Sequence, residues 1–129
     1  MTRYLIANRW QTPDGTILHS KHRHDYVTHF DTVLEREVFL DGGLDYTRIS
    51  FGDCLKDISV YSNDKHEVKR EVFCWGTRGK DGKQPVTFIY LKDMETDHIE
   101  SVLSTQHHVP SHIVKMFKEE LKYRKQLKT

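Results

Sequence analysis

Cysteine and long apolar runs are scarce in this sequence, and each scarcity excludes a class of protein. The 129 residues contain two cysteines, Cys54 and Cys74, which are too few for a four-cysteine zinc ribbon or a disulfide framework. We therefore expect both to be reduced and partly buried. No stretch approaches the roughly 20 apolar residues of a transmembrane helix, and we expect no membrane partner.

A targeting signal and an excess of charge are missing as well. The opening MTRYLIANRW lacks the apolar run of about 7 to 15 residues that a secretory signal needs, so we expect a cytoplasmic protein. Lys and Arg number 20 against 19 Asp and Glu, for a net charge of +1, and no overall field draws the chain onto nucleic acid. Its length predicts a single domain over residues 1–129.

Turn signals divide the first two thirds of the chain into short strands. Residues 4–10 and 16–19 flank TPDG, which is typical of a hairpin turn with a following glycine. Residues 26–30 and 38–40 predict two further strands, which end before Asp-Gly-Gly at 41–43. Residues 1–92 are therefore expected to be mainly β structure.

A second hairpin is predicted further along the chain. The segment REVFCWGT, residues 70–77, carries large apolar side chains and meets the reversal GKDGK, after which residues 85–91 return as its partner. Residues 58–61 predict a short strand, and residues 44–49 fit either a helical turn or a short strand.

The apolar period changes from 2 to 3.6 after Leu91. Ile99, Val102 and Leu103 predict a first helix, with Asp93 or Thr96 as its N-cap. A second helix begins at Ser111 as cap, and its apolar stripe consists of Ile113, Met116, Phe117 and Leu121. We predict an α+β fold in which a small antiparallel sheet built from hairpins packs against a C-terminal αα-hairpin, residues 93–127.

The most conspicuous feature is a histidine cluster, HSKHRHDYVTH at residues 19–29. In a strand, His22 and His24 would point to the same side and begin a metal site, whereas His29 would point away. A third ligand would come from elsewhere, from His66, His98, His107, His108 or His112. Because Lys21 and Arg23 repel a cation, we favour a solvated hairpin and leave open a metal site at His22 and His24.

Catalytic motifs are absent where their spacing can be tested. HExxH does not occur, and His98-Ile99-Glu100 is not followed by the Pro-Cys-x-x-Cys that would hold a deaminase zinc. There is no His-x-Ser or His-x-Thr, and neither Asp97-His98 nor His107-His108 is followed by the asparagine of a His-Asn-His nuclease. The sequence thus assigns no catalytic residue and no cofactor, which favours a protein that is not an enzyme.

Two basic segments are candidate anion sites. Arg78 and Lys80 lie in a glycine-marked turn that resembles a phosphate cradle, but the turn lies between strands and lacks a P-loop pattern, so a hairpin turn is favoured. The last helix carries Lys118, Lys122, Arg124 and Lys125, a pattern that fits nucleic-acid binding. Cations that complement the helix dipole and solvate an exposed face explain it more simply.

Three stretches carry a resemblance to known proteins: TPDGTILHSKHRHDY, FLDGGLDYTRIS, and CWGTRGKDGKQPVTFIYLKDMETDHIESVLSTQ continuing into HIVKMFKEELKYR. They resemble a family of small, uncharacterised proteins encoded by tailed bacteriophages, and the similarity covers nearly the whole chain. The distinctive string is Trp-Gly-Thr, then Gly and Asp-Gly, then an Asp-Met helix that ends in Thr-Gln. The resemblance implies a phage protein made in the bacterial host cytoplasm during infection, and it supplies no catalytic residues.

Small phage proteins of this kind commonly act by binding other proteins, and the resemblance extends this expectation to the present chain by analogy. We therefore expect a non-enzymatic protein that binds a host or phage protein and modulates a host process or defence. Its interaction surface is sought around Trp75, Arg78, Lys80 and Tyr46 or on the last helix, because aromatic and arginine side chains often anchor interfaces. A buried Trp75 would exclude that residue.

The alternative is a nucleotide or small-molecule binder, or a metal-dependent hydrolase. It would use His22, His24, Asp25 and His66 together with the turn that holds Arg78 and Lys80. This hypothesis predicts a concave site in which these side chains converge.

Overall fold

The computed structural model describes residues 3–79 and 81–127, and the chain forms two compact units, Met1–Asn63 and Asp64–Thr129. We call them the N-terminal and the C-terminal unit. The predicted α+β class is confirmed, because antiparallel strands and three helices make up the described residues. No helix in these ranges combines the length and the apolar composition needed to cross a lipid bilayer.

The N-terminal unit consists of two small antiparallel sheets. Its strands are β1 (Leu5–Gln11), β2 (Ile17–Ser20), β3 (Val27–Asp31), β4 (Arg36–Asp41), β5 (Arg48–Ile49), β6 (Lys56–Asp57) and β7 (Val60–Tyr61). In one sheet β1 pairs with β2, β6 and β7, and in the other the order is β3-β4-β5. The strands predicted at 4–10, 16–19, 26–30 and 38–40 are therefore confirmed within one or two residues.

The hairpin from β1 to β2 turns where TPDG predicts it. The N–H of Gly15 donates to the carbonyl of Thr12 at 2.9 Å, and the N–H of Thr12 donates to the carbonyl of Thr16 at 2.8 Å. Gly15 has a φ of +93°, a left-handed conformation that favours glycine. The local sequence therefore favours this reversal at the position where it occurs.

The core of the N-terminal unit lies between the inward faces of its strands. Leu18 of β2, Val38 and Leu40 of β4, and Leu55 are buried together. Around them pack the partly buried side chains of Trp10, Val27, Leu34 and Ile49. Because side chains alternate along a strand, the burial of Val38 and Leu40 turns Glu37 and Phe39 to the opposite face of the β3-β4-β5 sheet.

The C-terminal unit packs helices on a two-stranded sheet, as predicted. Its elements are α1 (His66–Val72), β8 (Cys74–Thr77), β9 (Thr87–Tyr90), a 3-10 turn (Leu91–Asp93), α2 (Thr96–Thr105) and α3 (Ser111–Leu127). Helices α2 and α3 form the αα-hairpin. Phe117 of α3 lies 6.1 Å from the ring of Phe73 and 5.2 Å from that of Trp75, which holds the helix on the sheet.

Three details of the prediction for this unit are wrong. Residues 70–72, predicted as strand, complete helix α1, and β8 begins only at Cys74. The N-cap of α2 is Glu95 rather than Asp93 or Thr96. Ser111 is the first residue of α3, and the carbonyl of Pro110 accepts the first helical N–H groups.

A buried carboxylate explains why α1 is a helix. Glu120 of α3 is 0% exposed, and its Oε1 accepts hydrogen bonds from His66 Nε2 and Arg70 Nε, both at 2.9 Å. Its Oε2 accepts from Arg70 Nη2 at 3.0 Å and from Arg124 Nε at 2.7 Å. Residues four apart share one face of a helix, so a helical α1 brings both His66 and Arg70 to the same carboxylate.

Arg124 extends this network to the rest of the unit. Its Nη2 donates to the carbonyl of Leu91 at 3.0 Å, and its Nη1 donates to Thr96 Oγ1 at 2.9 Å. The ring of Tyr123 lies 4.6 Å from the guanidinium of Arg70 and covers it on one side. The carboxylate of Glu120 therefore joins α1 and α3, and through Arg124 it connects them to the 3-10 turn and to the start of α2.

The network also sets the protonation of Glu120. Burial raises the pKa of this carboxyl, but the hydrogen bonds from Arg70, Arg124 and His66 together outweigh burial and lower the pKa to about 2. A carboxyl whose pKa is lower in the folded than in the unfolded chain stabilises the fold above its ordinary pKa.

We predict that the C-terminal unit loses stability as the pH falls from 4.5, the ordinary pKa of a glutamate, through about 2. The loss attributable to Glu120 is about 3 kcal/mol over this range. Urea unfolding followed by far-ultraviolet circular dichroism measures it, because all described helices belong to this unit.

The variant Glu120→Gln is expected to unfold more easily at neutral pH by about 3 kcal/mol and to lose this acid sensitivity. Glu100→Gln, an exposed glutamate on α2, is the matched control and should retain it. If the stability of the wild-type chain and that of Glu120→Gln fall equally with pH, other carboxyls cause the loss and the prediction is wrong.

Candidate functional site

The outward face of the β3-β4-β5 sheet carries aromatic side chains. Phe39 of β4 lies opposite Thr28 of β3, and Phe30 lies opposite Glu37. Tyr26, just before β3, is 53% exposed and Phe30 is 60% exposed. The rings of Tyr26 and Phe39 stack at 5.0 Å with an interplanar angle of 23°.

Arg48 of β5 lies across this stack. Its Nη2 donates to Asp41 Oδ2 at 3.1 Å, while its guanidinium lies 5.2 Å from the ring centroid of Phe39 and 5.9 Å from that of Tyr26. Even so, 62% of the Arg48 side chain is exposed. The carboxylate of Asp41 therefore fixes a cation on an aromatic surface while leaving much of it accessible.

A second arginine meets a second exposed ring on another part of this unit. The guanidinium of Arg36 lies 5.5 Å from the ring centroid of Phe51, but Arg36 alternates with Val38 and Leu40 and so belongs to the opposite face of β4 from Phe39. We call the outward set the aromatic sheet face and define it by four residues: Tyr26, Phe30, Phe39 and Arg48.

Tyr46, a residue singled out by the sequence, lies at the rim of the aromatic sheet face. Its hydroxyl donates to Asp41 Oδ2 at 3.2 Å and lies 2.6 Å from Nδ1 of His24. Because a hydroxyl carries one proton, the Nδ1–H of His24 is the donor to Tyr46 in this arrangement. Burial, followed by the hydrogen bond and the charge of Asp41, raises the pKa of Tyr46, so the hydroxyl stays neutral.

The loop that carries Tyr46 is held against the turn that carries His24. Ser20 Oγ donates to the carbonyl of Asp25 at 2.7 Å and accepts the N–H of Gly43 at 2.8 Å. Buried Asn8 donates through Nδ2 to the carbonyl of Gly43 at 3.0 Å. The two loops approach so closely at Gly43 that a Cβ there would overlap the backbone of His22.

We predict that Gly43→Ala lowers the stability of the N-terminal unit more than Gly15→Ala does. Both glycines have a positive φ, +56° and +93°, so both variants carry a conformational penalty of about 1 kcal/mol. A Cβ at Gly15 meets nothing within 4 Å. Thermal unfolding of both variants measures the difference, and equal melting temperatures would contradict the close packing of the loops.

The candidate metal pair, His22 and His24, does not lie in the strand on which its common orientation depends. Both residues lie in a turn rather than in a strand, and His24 has a φ of +63°. The Nδ1 of His22 contacts the carbonyl of Arg23 at 3.0 Å, while Nδ1 of His24 contacts Tyr46. The expectation that the two rings point to one side of a strand is therefore wrong.

A different group has the spacing of metal ligands. Asp14, His29 and Asp31 present ligand atoms within 4.8 Å of one another, and no other such group of three occurs in the described ranges. His29 is the histidine that the alternation along a strand predicted to point away from His22 and His24. Its Nε2 donates to Asp14 Oδ2 at 2.8 Å.

Hydrogen bonds already explain this group. The two oxygens of buried Asp31 accept the N–H of Asp14 at 2.9 Å and the N–H of Leu34 at 2.7 Å. Hydrogen bonds from Thr12 and from His29 are the main causes that lower the pKa of Asp14. The group joins the TPDG turn to the β3-β4 hairpin, and a metal ion would have to displace the bond between His29 and Asp14.

We predict that Asp31→Asn destabilises the N-terminal unit by about 1 to 3 kcal/mol, because an amide presents a donor to one of the two buried N–H groups. Chemical denaturation measures the change, and Asp45→Asn, at an exposed aspartate of the same unit, is the control. Added Zn²⁺ should leave the melting temperature of the wild-type chain unchanged. A rise that Asp31→Asn abolishes would instead show a metal site.

The other predicted binding residues lie in the C-terminal unit. Trp75 is half-buried and its ring meets Phe117 edge to face, so its main contact is structural. Arg78 is exposed beside the turn between β8 and β9, where its carbonyl accepts the N–H of Gln84 at 3.0 Å. Lys80 lies outside the described residues.

The residues of the alternative hydrolase site have separate roles. His22, His24 and Asp25 belong to the N-terminal unit, and Arg78 belongs to the C-terminal unit. His66 of the C-terminal unit is hydrogen-bonded to Glu120. Both cysteines are reduced, and Cys74 is partly buried as expected, but Cys54 is exposed rather than partly buried.

Sequence reasoning missed Phe30, Phe39 and Arg48. The signal was present in the alternation of residues 26–30 and 37–41, where Val27 and the pair Val38 and Leu40 take the inward positions. A sheet face turned to solvent usually carries polar residues, so aromatic residues at the intervening positions indicate an unusually apolar exposed surface. Arg48 gave no local signal, because its role depends on pairing with Asp41 across two strands.

Comparisons of the chain with protein-family models, with curated proteins and with solved structures found no match.

Proposed function

We propose that this chain is a bacteriophage protein that acts in the bacterial cytoplasm by binding a host protein through the aromatic sheet face. The observation that supports the proposal is the set of exposed aromatic rings crossed by the guanidinium of Arg48. The resemblance of the sequence to small phage proteins supplies the setting. Binding would modulate a host process or a defence and would involve no chemical step.

The composition of the aromatic sheet face favours a protein partner. Tyrosine and arginine are enriched among the residues that dominate the energy of protein interfaces. Contiguous exposed apolar surface is rare on monomeric proteins and often marks an interaction site. Tyr26 is 53% exposed and Phe30 is 60% exposed, and a partner would remove their rings from water.

Arg48 is the expected anchor of the interface. Its hydrogen bond to Asp41 and its contacts with Phe39 and Tyr26 limit its conformations before binding. A side chain that is held in place loses less entropy when a partner arrives. The guanidinium is thus prepared to meet a carboxylate or a carbonyl group of the partner.

We predict that p-benzoylphenylalanine in place of Phe30 forms a defined photocrosslink with one host protein in infected cells. The same photocrosslinker at Val86, an exposed residue of the C-terminal unit, is the position control. The crosslinked protein is then purified and its affinity for the untagged chain is measured by isothermal titration calorimetry.

Arg48→Ala should weaken that affinity about 30-fold, the effect of a residue that contributes about 2 kcal/mol. Phe30→Ala tests the face without disturbing the bond to Asp41, and Arg78→Ala is the matched control on the other unit. If Arg78→Ala weakens binding and both face variants leave it unchanged, the interface is the β8-β9 turn and the proposal is wrong.

A further inference from the structure

Helix α3 carries its exposed lysines on one stripe. Lys115, Lys118, Lys122 and Lys125 are all exposed, and their spacing of three and four residues places them on one side of a helix with about 100° between successive residues. Arg124 does not belong to this stripe, because its guanidinium is bonded to Glu120, Thr96 and Leu91. The predicted basic cluster of Lys118, Lys122, Arg124 and Lys125 is therefore corrected: Arg124 does not belong to it, and Lys115 does.

The two acidic residues of α3 both contact basic side chains of the C-terminal unit, although 37% of the Glu119 side chain stays exposed. Glu120 is buried among its three donors, and Glu119 Oε2 lies 3.7 Å from Nδ1 of His66 and 4.0 Å from Nζ of Lys69. Within the described residues, no carboxylate lies within ion-pair distance of the four stripe lysines. The outward charge of this stretch of α3 is consequently positive, although the whole chain is nearly neutral.

The stripe borders a shallow concavity. An open groove of about 390 Å³ is lined by Ser111, Val114, Lys115, Lys118, Glu119 and Lys122. Val114 is the one large apolar residue among the six that line it, and three of the six are lysines. An anionic ligand that fits therefore gains affinity from three neighbouring positive charges.

We propose that the lysine stripe of α3 binds the phosphate backbone of duplex DNA without reading its sequence. The stripe extends over about 15 Å of helix, and a duplex presents one negative charge for about every 1.7 Å of its axis. Single-stranded nucleic acid is disfavoured as the ligand, since its binding usually requires aromatic rings on which bases stack. The ring of Tyr123 packs against Arg70 and His66 instead.

This site is independent of the protein-binding surface proposed above. The lysine stripe belongs to the C-terminal unit and the aromatic sheet face to the N-terminal unit. Variants of one should leave the other function intact, so the two proposals succeed or fail separately.

The test is fluorescence anisotropy of a fluorescein-labelled DNA duplex of mixed sequence, titrated with the full chain between about 50 and 200 mM NaCl. We expect binding that weakens steeply as salt rises. The triple variant Lys115→Gln, Lys118→Gln, Lys122→Gln should bind at least tenfold more weakly at low salt. The slope of log affinity against log salt should fall by about 0.9 for each lysine removed.

The matched control removes three other exposed lysines, Lys56, Lys65 and Lys83, and so has the same net charge as the triple variant. It should keep the affinity and the salt slope of the wild-type chain. Circular dichroism of the helices verifies that the triple variant is folded, which is expected because the substituted lysine side chains form no ion pair with another described residue.

Three outcomes would overturn the proposal. One is the absence of duplex binding at about 50 mM NaCl, where backbone contacts are strongest. Another is an equal loss of DNA affinity in the triple variant and the control, which would show that the net charge of the chain, and not the stripe, determines binding. The third is binding of phosphatidylserine vesicles, dependent on the stripe, by a chain that ignores DNA.

Discussion

The C-terminal unit depends on one buried carboxylate. Glu120 has left water entirely, and such a charge is tolerated only when its oxygens are fully hydrogen-bonded. His66 and Arg70 come from α1 and Arg124 from α3 itself. The requirement of this carboxylate for several donors overrides the strand preference of residues 70–72, whose valine and flanking aromatic residues suggest a strand when taken alone. The burial of Glu120 therefore favours helix in residues 66–72, a segment about 50 positions away in the sequence.

The same ion pairs decide which charges remain available to a partner. Arg124 turns inward to Glu120, and Glu119 contacts His66 and Lys69, so the exposed lysines of α3 outnumber Glu119, the one carboxylate among the described residues that line the same groove. In the N-terminal unit Asp41 holds Arg48 while most of that side chain stays in solvent. In both units a buried or nearly buried carboxylate thus positions arginine side chains. Glu120 holds Arg124 largely buried, whereas Asp41 leaves most of Arg48 exposed. The net charge of +1 conceals both features.

Local pattern predicted the parts of the fold that local physics determines. The TPDG turn, the β3-β4 hairpin, the β8-β9 hairpin and the paired C-terminal helices follow from turn residues and apolar periodicity. The failures arise where partners are far apart in sequence. His66 and Glu120 are separated by 54 positions, and no window around residue 70 contains the reason for helix α1. The aromatic sheet face is only partly predictable from local pattern. The alternation of residues along β3 and β4 indicates its aromatic side chains, but only the register of β4 with β5 places Arg48 on it.

The histidines illustrate why residue counts are a poor guide to a site. His24, His29 and His66 contact Tyr46, Asp14 and Glu120, which lie 22, 15 and 54 positions away. Each imidazole joins two segments that the backbone does not connect, and each uses a different partner. His24 and His29, neighbours in the sequence cluster, contact different residues in space, because an imidazole offers one donor and one acceptor at a fixed angle. These contacts fasten short strands and turns to one another, so a high local count of histidine is not by itself evidence of a metal or catalytic site.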